Sequence, residues 1–170
     1  NGKDLPSAMS DTQLGKISHW QVQRIVQAIP EGPIDLVPER ALMLEAGLDK
    51  LGAVDFEKGC YIGQEVTART FYRGLVKRRL LPLEFGGTPQ PPNSKIFWRN
   101  KVIGTSKTSA LFQGKPERSI TLGLLKLEDI DAILETQANN IASELYVNTS
   151  FVILKPPPWC LPLPIPHKKQ

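Results

Sequence analysis

One thiol carries most of the chemistry this chain could perform. Cys60 stands between two glycines in Lys58-Gly59-Cys60-Tyr61-Ile62-Gly63-Gln64-Glu65, a stretch that also holds an amide and charges of both signs. Gly59 and Gly63 let the backbone turn sharply on either side of the thiol, so the spacing predicts a tight loop. From Gly63 to Arg73 the pattern reads as a helix, with Glu65 and Arg69 one turn apart for an i,i+4 pair and Gly74 as the C-terminal stop. A cysteine just ahead of a helix N-terminus, with Lys58 two residues away, sits in a field that favours thiolate over thiol. Thiolate is the form that attacks electrophiles or ligates metal. Cys60 can equally be read as a small buried hydrophobe, and its sequence context leaves both readings open.

The rest of the inventory excludes several kinds of chemistry. His19 and His167 lie at opposite ends of the chain, so no Cys-His dyad, Ser-His-Asp triad or His-rich metal site can be argued. No glycine-rich phosphate loop follows a strand. Cys60 and Cys160 are a hundred residues apart and form no CxxC, which argues against a disulfide scaffold and for a reducing compartment. If Cys60 binds metal, Cys160 is a poor second ligand, whereas a [2Fe–2S] cluster normally takes about four, so a cluster would have to be shared with a partner. Twenty-one Lys and Arg against seventeen Asp and Glu give a net charge of +4. That excess permits contact with RNA or an acidic partner without demanding it. No apolar run approaches the roughly 18 residues of a membrane span.

The segment from Lys58 to Thr70, continuing through Val66-Thr67-Ala68-Arg69, resembles the signature of the folate-binding, aminomethyltransferase-like proteins that serve in mitochondrial iron–sulfur cluster assembly. The wider superfamily includes the T-protein of the glycine cleavage system and a bacterial folate-binding protein described as tRNA-modifying. Flanking matches are Arg24, Ile29-Pro30-Glu31-Gly32, Leu44-Glu45-Ala46-Gly47-Leu48 and Phe56 before the signature. Arg73-Gly74, Val102-Ile103-Gly104-Thr105 and Gly123-Leu124-Leu125 follow it. The resemblance covers most of residues 20 to 160 and is most specific at the signature. At the tail this chain departs from the family, with Cys160 after Trp159 where members carry paired tryptophans.

The resemblance implies a mitochondrial matrix assembly factor that helps A-type carrier proteins mature [4Fe–4S] proteins, with Cys60 as ligand or reactive thiol. It also implies Arg24, Glu45 and Arg69 as residues toward tetrahydrofolate, Arg24 on a helix facing a central cleft. The bland readings are a snorkelling Arg24 and a Glu45 capped by backbone amides or paired with Arg24. A folate-dependent one-carbon transferase, a tRNA-modifying enzyme, or a binding component of a larger mitochondrial assembly are the alternatives. The T-protein branch lacks this cysteine, which favours the assembly factor over a classical enzyme. Members carry a substantial region ahead of this point, so the chain is expected to be a fragment of a longer protein.

The elements that must position these residues follow from periodicity. Trp20, Val22, Ile25, Val26 and Ile29 recur at helical spacing up to Pro30. Prolines and glycines punctuate residues 30 to 52, an irregular arm with at most a short helix over Pro38 to Leu48. Leu75 to Phe85 reads as a strand, with Lys77 and Arg79 on one face and Arg78 on the other. Ser94 to Trp98 and Val102 to Phe112 form a hairpin, Ile120 to Leu125 a strand, Leu127 to Leu134 a short acidic helix. Ser143 to Val147 and Ser150 to Leu154 form a second hairpin. So many short strands suit a compact barrel. The fold class is therefore α+β. Residues 1–79 are the C-terminal portion of a folate-binding-like domain with the Cys60 motif. Residues 80–156 are a small antiparallel β-barrel, and 157–170 a Pro-rich tail anchored by Trp159.

Overall fold

In the computed structural model, which describes residues 15–114, 117–139 and 144–164, six strands close into an antiparallel barrel. They are β1 (Arg78–Gly86), β2 (Lys95–Trp98), β3 (Lys101–Leu111), β4 (Arg118–Lys126), β5 (Leu145–Val147) and β6 (Ser150–Leu154). Around the barrel they run β1-β4-β3-β2-β5-β6, and β6 returns to β1 through Leu83↔Leu154 to Phe85↔Val152. Closure leaves no long open edge for another chain to pair with. Among the described residues four α-helices accompany the strands: α1 (Ile17–Val26), α2 (Gly32–Asp35), α3 (Gln64–Tyr72) and α4 (Ile130–Ala138). No helix among the described residues is long and apolar enough to cross a membrane.

Strand β1 explains why the chain carries the continuous apolar run Leu80-Leu81-Pro82-Leu83. Leu81, Leu83 and Phe85 point into the barrel, where they meet Ile96, Ile103, Leu125, Leu145 and Val152. Leu80 points outward, and there it joins Ile120 and Leu122 of β4 beneath Val22 and Ile25 of α1 and Ala46 of the arm. Both faces of β1 and β4 are covered, so neither shows the polar alternation of a half-exposed strand. Pro82 lacks an N–H, yet its carbonyl accepts from Lys155 just beyond the paired stretch of β6. Its missing donor therefore falls past the end of that ladder.

Local turn chemistry matches the expected hairpins. Arg99 and Asn100 both take positive φ (47° and 65°) in the two-residue connection from β2 to β3. Asn148 (φ 51°) turns β5 into β6. The β3–β4 register slips between Ser106 and Ser109, and the Thr108 N–H, set free there, is taken by Asp35 Oδ1 at 2.9 Å. Gly104 must be glycine for a different reason. A Cβ there would strike the Leu124 carbonyl on the neighbouring strand.

The structure revises several expectations. The arm is irregular as expected and forms turns rather than the short helix allowed over Pro38 to Leu48, with positive φ at Glu39 and Gly47. The first strand begins at Arg78 rather than Leu75, so Lys77 shares no strand face with Arg79. Lys77 is exposed, whereas Arg79 is sealed inside. Arg79 Nη1 donates to the Leu44 carbonyl and to Asp49 Oδ1 at 2.8 Å, with Nη2 3.3 Å from Asp49 Oδ2. That pair fixes the arm to the first strand. Trp159 does anchor the tail: its indole N–H donates to the Gln27 carbonyl at 3.0 Å and its ring faces Gly47. Cys160 beside it is buried in the barrel core. The readings of residues 1–14, of Ser143 and of 165–170, His167 included, lie outside the described residues.

Candidate functional site

The loop that holds Cys60 is defined at both ends by short-range physics. At its start Asp55 Oδ1 accepts the N–H groups of Glu57 (2.8 Å) and Lys58 (3.2 Å), an Asx-type turn. At its end Gly63 adopts φ 87° as the N-cap of α3, a conformation that costs any other residue type strain. Gln64 then ties loop to helix, its N–H donating to the Tyr61 carbonyl and its side-chain oxygen accepting the Tyr61 N–H. Between these fixed points Gly59 and Cys60 are exposed and Ile62 is fully so. The thiol is therefore open to solvent, which rules out the buried-hydrophobe reading.

Neighbouring charges are arranged differently from the expectation. Lys58 Nζ lies over the Tyr61 ring, 4.5 Å from its centroid, a cation–π contact that gives the ammonium a partner within the motif. Glu65 sits in the first turn of α3 and Arg69 in its last, each matching the helix dipole. None of the ion pairs among the described residues joins the two. Helix α3 buries no residue fully. It is held by Phe71, stacked on Phe56 with centroids 4.0 Å apart, and by Tyr72 edge-on to both rings. Gly74 (φ 59°) closes the helix, with Leu75 N–H returning to the Thr70 carbonyl. An open apolar groove of about 460 Å3 separates α3 from residues 41–45 of the arm. The signature thus occupies a lightly packed element on a heavily packed barrel, the arrangement expected of a segment that moves or binds.

The three residues assigned toward folate do not come together. Arg24 is 2% exposed, and it neither faces an open cleft nor snorkels. Its Nη1 donates to Asp35 Oδ2 (2.7 Å) and to the Ile29 carbonyl (3.0 Å), while Nε meets Gln21 Oε1 and Glu31 Oε2. Asp35 carries the whole junction, joining α1, α2 and β3 through Arg24, the Glu31 N–H and the Thr108 N–H. Glu45 pairs not with Arg24 but with Arg78, whose Nε and Nη2 bind its two oxygens at 2.8 and 3.0 Å. Arg69 is exposed on α3. A cavity of about 380 Å3 includes Glu45 in its wall, but neither Arg24 nor Arg69.

Cys160 is no second ligand. It is 1% exposed, its Sγ donates to the Pro157 carbonyl, and burial pushes its thiol above the usual range. Among the described residues no group of three or more His, Cys, Asp or Glu stands close enough to hold a metal ion. Asp35, Asp49 and Arg79 were invisible as a functional framework in the sequence. Arg79 and Asp49 are 30 residues apart and Asp35 meets Thr108 across 73, while the 11-residue separation of Arg24 and Asp35 gives no periodic signal.

Fold and site together define an α+β barrel protein that presents one accessible thiol on a glycine-bounded loop. No family model matches the chain. It is similar to the human protein named iron–sulfur cluster assembly factor IBA57, mitochondrial, with 44% identity over 134 residues, covering 79% of this chain and 37% of the human protein. The mouse protein of that name is 35% identical over 154 residues, covering 88% of this chain and 41% of its own length. The IBA57 homologue of the fungus Coccidioides immitis is 31% identical over 159 residues, covering 80% and 37%. The chain belongs to the IBA57 iron–sulfur cluster assembly factor family. It spans about two fifths of the length of these relatives.

Proposed function

We propose that this chain is the thiol-bearing part of a mitochondrial iron–sulfur cluster assembly factor that helps A-type carriers mature [4Fe–4S] proteins in the matrix. The reading extends to the chain what its relatives' names say of them, iron–sulfur cluster assembly and mitochondria. It is carried by one observation, the solvent exposure of Cys60 on a loop fixed by Asp55 and Gly63. An exposed thiol that loses its proton can enter the coordination shell of a cluster held by another protein, whereas a buried one cannot reach it. The cluster is cargo. Cys60 supplies one ligand toward a shared [2Fe–2S] intermediate, and the carrier supplies the others.

In this reading residues 1–79 are the end of a folate-binding-like domain, residues 80–156 the barrel domain and 157–170 its tail, within a longer protein. Tetrahydrofolate does not fit the residues as they stand. Arg24 is consumed by Asp35, Glu45 by Arg78, and Arg69 lies apart from both, so no step of the reading passes through that cofactor.

The test is anaerobic reconstitution of the full-length protein with an A-type carrier, following cluster absorbance and circular dichroism. Wild type is expected to give a spectrum absent from either protein alone, and Cys60→Ser to abolish it. An identical spectrum from Cys60→Ser would discard the ligand role.

A further inference from the structure

Lys107 lies on β3 within the register slip and is only 6% exposed. Its stem is covered, while its Nζ is not among the buried side-chain atoms left without a partner. Among the described residues Lys107 is in none of the ion pairs, which engage other cations. Its side chain instead lines the cavity of about 380 Å3 between the arm and the barrel.

The charges around that cavity do not balance. Two carboxylates line it, and both are already engaged: Asp35 by Arg24 and two backbone N–H groups, Glu45 by both arms of Arg78. Arg40 lines the same cavity, is exposed, and makes no ion pair. Lys107 and Arg40 are therefore cations without a counter-charge on one concavity. Asn93 and Thr105 add an amide and a hydroxyl. An ammionium-like point charge, a planar fork and neutral donors converging on a small space are the groups that recognise oxygen anions rather than cations or flat apolar rings.

We propose that this cavity binds a small oxyanion, a phosphate monoester or a carboxylate, with Lys107 as its principal charge and Arg40 closing the mouth. The volume lies in the range of small-ligand sites, roughly 300–1,000 Å3. None of residues 56–63 lines it, so the site is separate from the Cys60 loop and does not rest on the assembly reading.

The chain is titrated calorimetrically with inorganic phosphate and, separately, with glutarate, at constant ionic strength in chloride. Saturable binding of one of the two is expected, and which one identifies the source as phosphoryl or carboxylate. Lys107→Met should weaken it about tenfold or more, Lys107→Arg should retain most of it, and Lys155→Met, just past β6, should leave it unchanged. Should Lys107→Met fail to fold, Arg40→Gln carries the same comparison, since Arg40 is at the surface. Saturation by neither anion, or equal binding in wild type and the folded cavity variants, overturns the proposal.

Discussion

Arg79 and Asp49 form a two-armed ion pair, 2.8 and 3.3 Å, in which the guanidinium is 1% and the carboxylate side chain 6% exposed. It joins the first barrel strand to the arm that leads into the Cys60 loop. Arg79 Nε finds no partner, so the guanidinium depends on Asp49 and the Leu44 carbonyl for its compensation.

Removing one member of a buried pair strands the other charge, which costs about 3–5 kcal/mol. Asp49→Ala is therefore expected to lower stability in urea by that order. The double variant Asp49→Leu with Arg79→Met, which removes both charges, should recover much of the loss. If Asp49→Ala unfolds at the wild-type midpoint, the pair does not hold the arm.

The two cysteines should differ in reactivity. Iodoacetamide on the native chain is expected to label Cys60, and to reach Cys160 only after denaturation. Peptide mass spectrometry reads both sites in one digest, and labelling of Cys160 at the rate of Cys60 would contradict its place in the core.

Cys160 also gives stability an alkaline dependence. Burial raises its thiol above the ordinary thiol range, so the unfolded chain releases that proton at a lower pH than the folded one. Its contribution is complete below the unfolded thiol's titration range and is lost as pH rises through the folded value. Melting curves across this range should fall less steeply in Cys160→Ala than in wild type. Parallel curves would show that another group governs the loss.

Two barrel glycines should rank in a fixed order. A Cβ at Gly104 meets the Leu124 backbone carbonyl, which cannot retreat, whereas one at Gly123 meets the ends of the Leu83 (2.7 Å) and Ile96 (2.9 Å) side chains. Gly104→Ala is expected to cost more than Gly123→Ala, the latter about 1–3 kcal/mol of overpacking. The reverse order in chemical denaturation would mean that the interior is the more rigid of the two.

Calorimetry of the chain with tetrahydrofolate should show no micromolar binding. The pterin ring needs several matched hydrogen bonds in one enclosure, and Arg24, Glu45 and Arg69 do not share a cavity. Micromolar affinity would require a pocket other than the one these residues mark.

Much of the architecture was legible because barrels and amphipathic helices are written in short-range code. The apolar spacing of Val22, Ile25 and Val26, the turns at Arg99-Asn100 and Asn148-Thr149, and the glycines bounding Cys60 each act within a few residues. Hydrophobic period and turn chemistry therefore determined the loop, α3 and the six-strand order of appearance from sequence alone. Local patterning could not say that β1 is covered on both faces, because the second cover is α1 and the arm, elements that read as independent. Nor could it separate Lys77, Arg78 and Arg79, three neighbouring cations that end in solvent, on Glu45 and inside on Asp49 respectively. The fate of a charge is decided by what tertiary packing brings within a few ångströms, where Coulomb and desolvation terms dominate. For Arg24, Glu45 and Lys107 as for Arg79, only the closed fold made that choice.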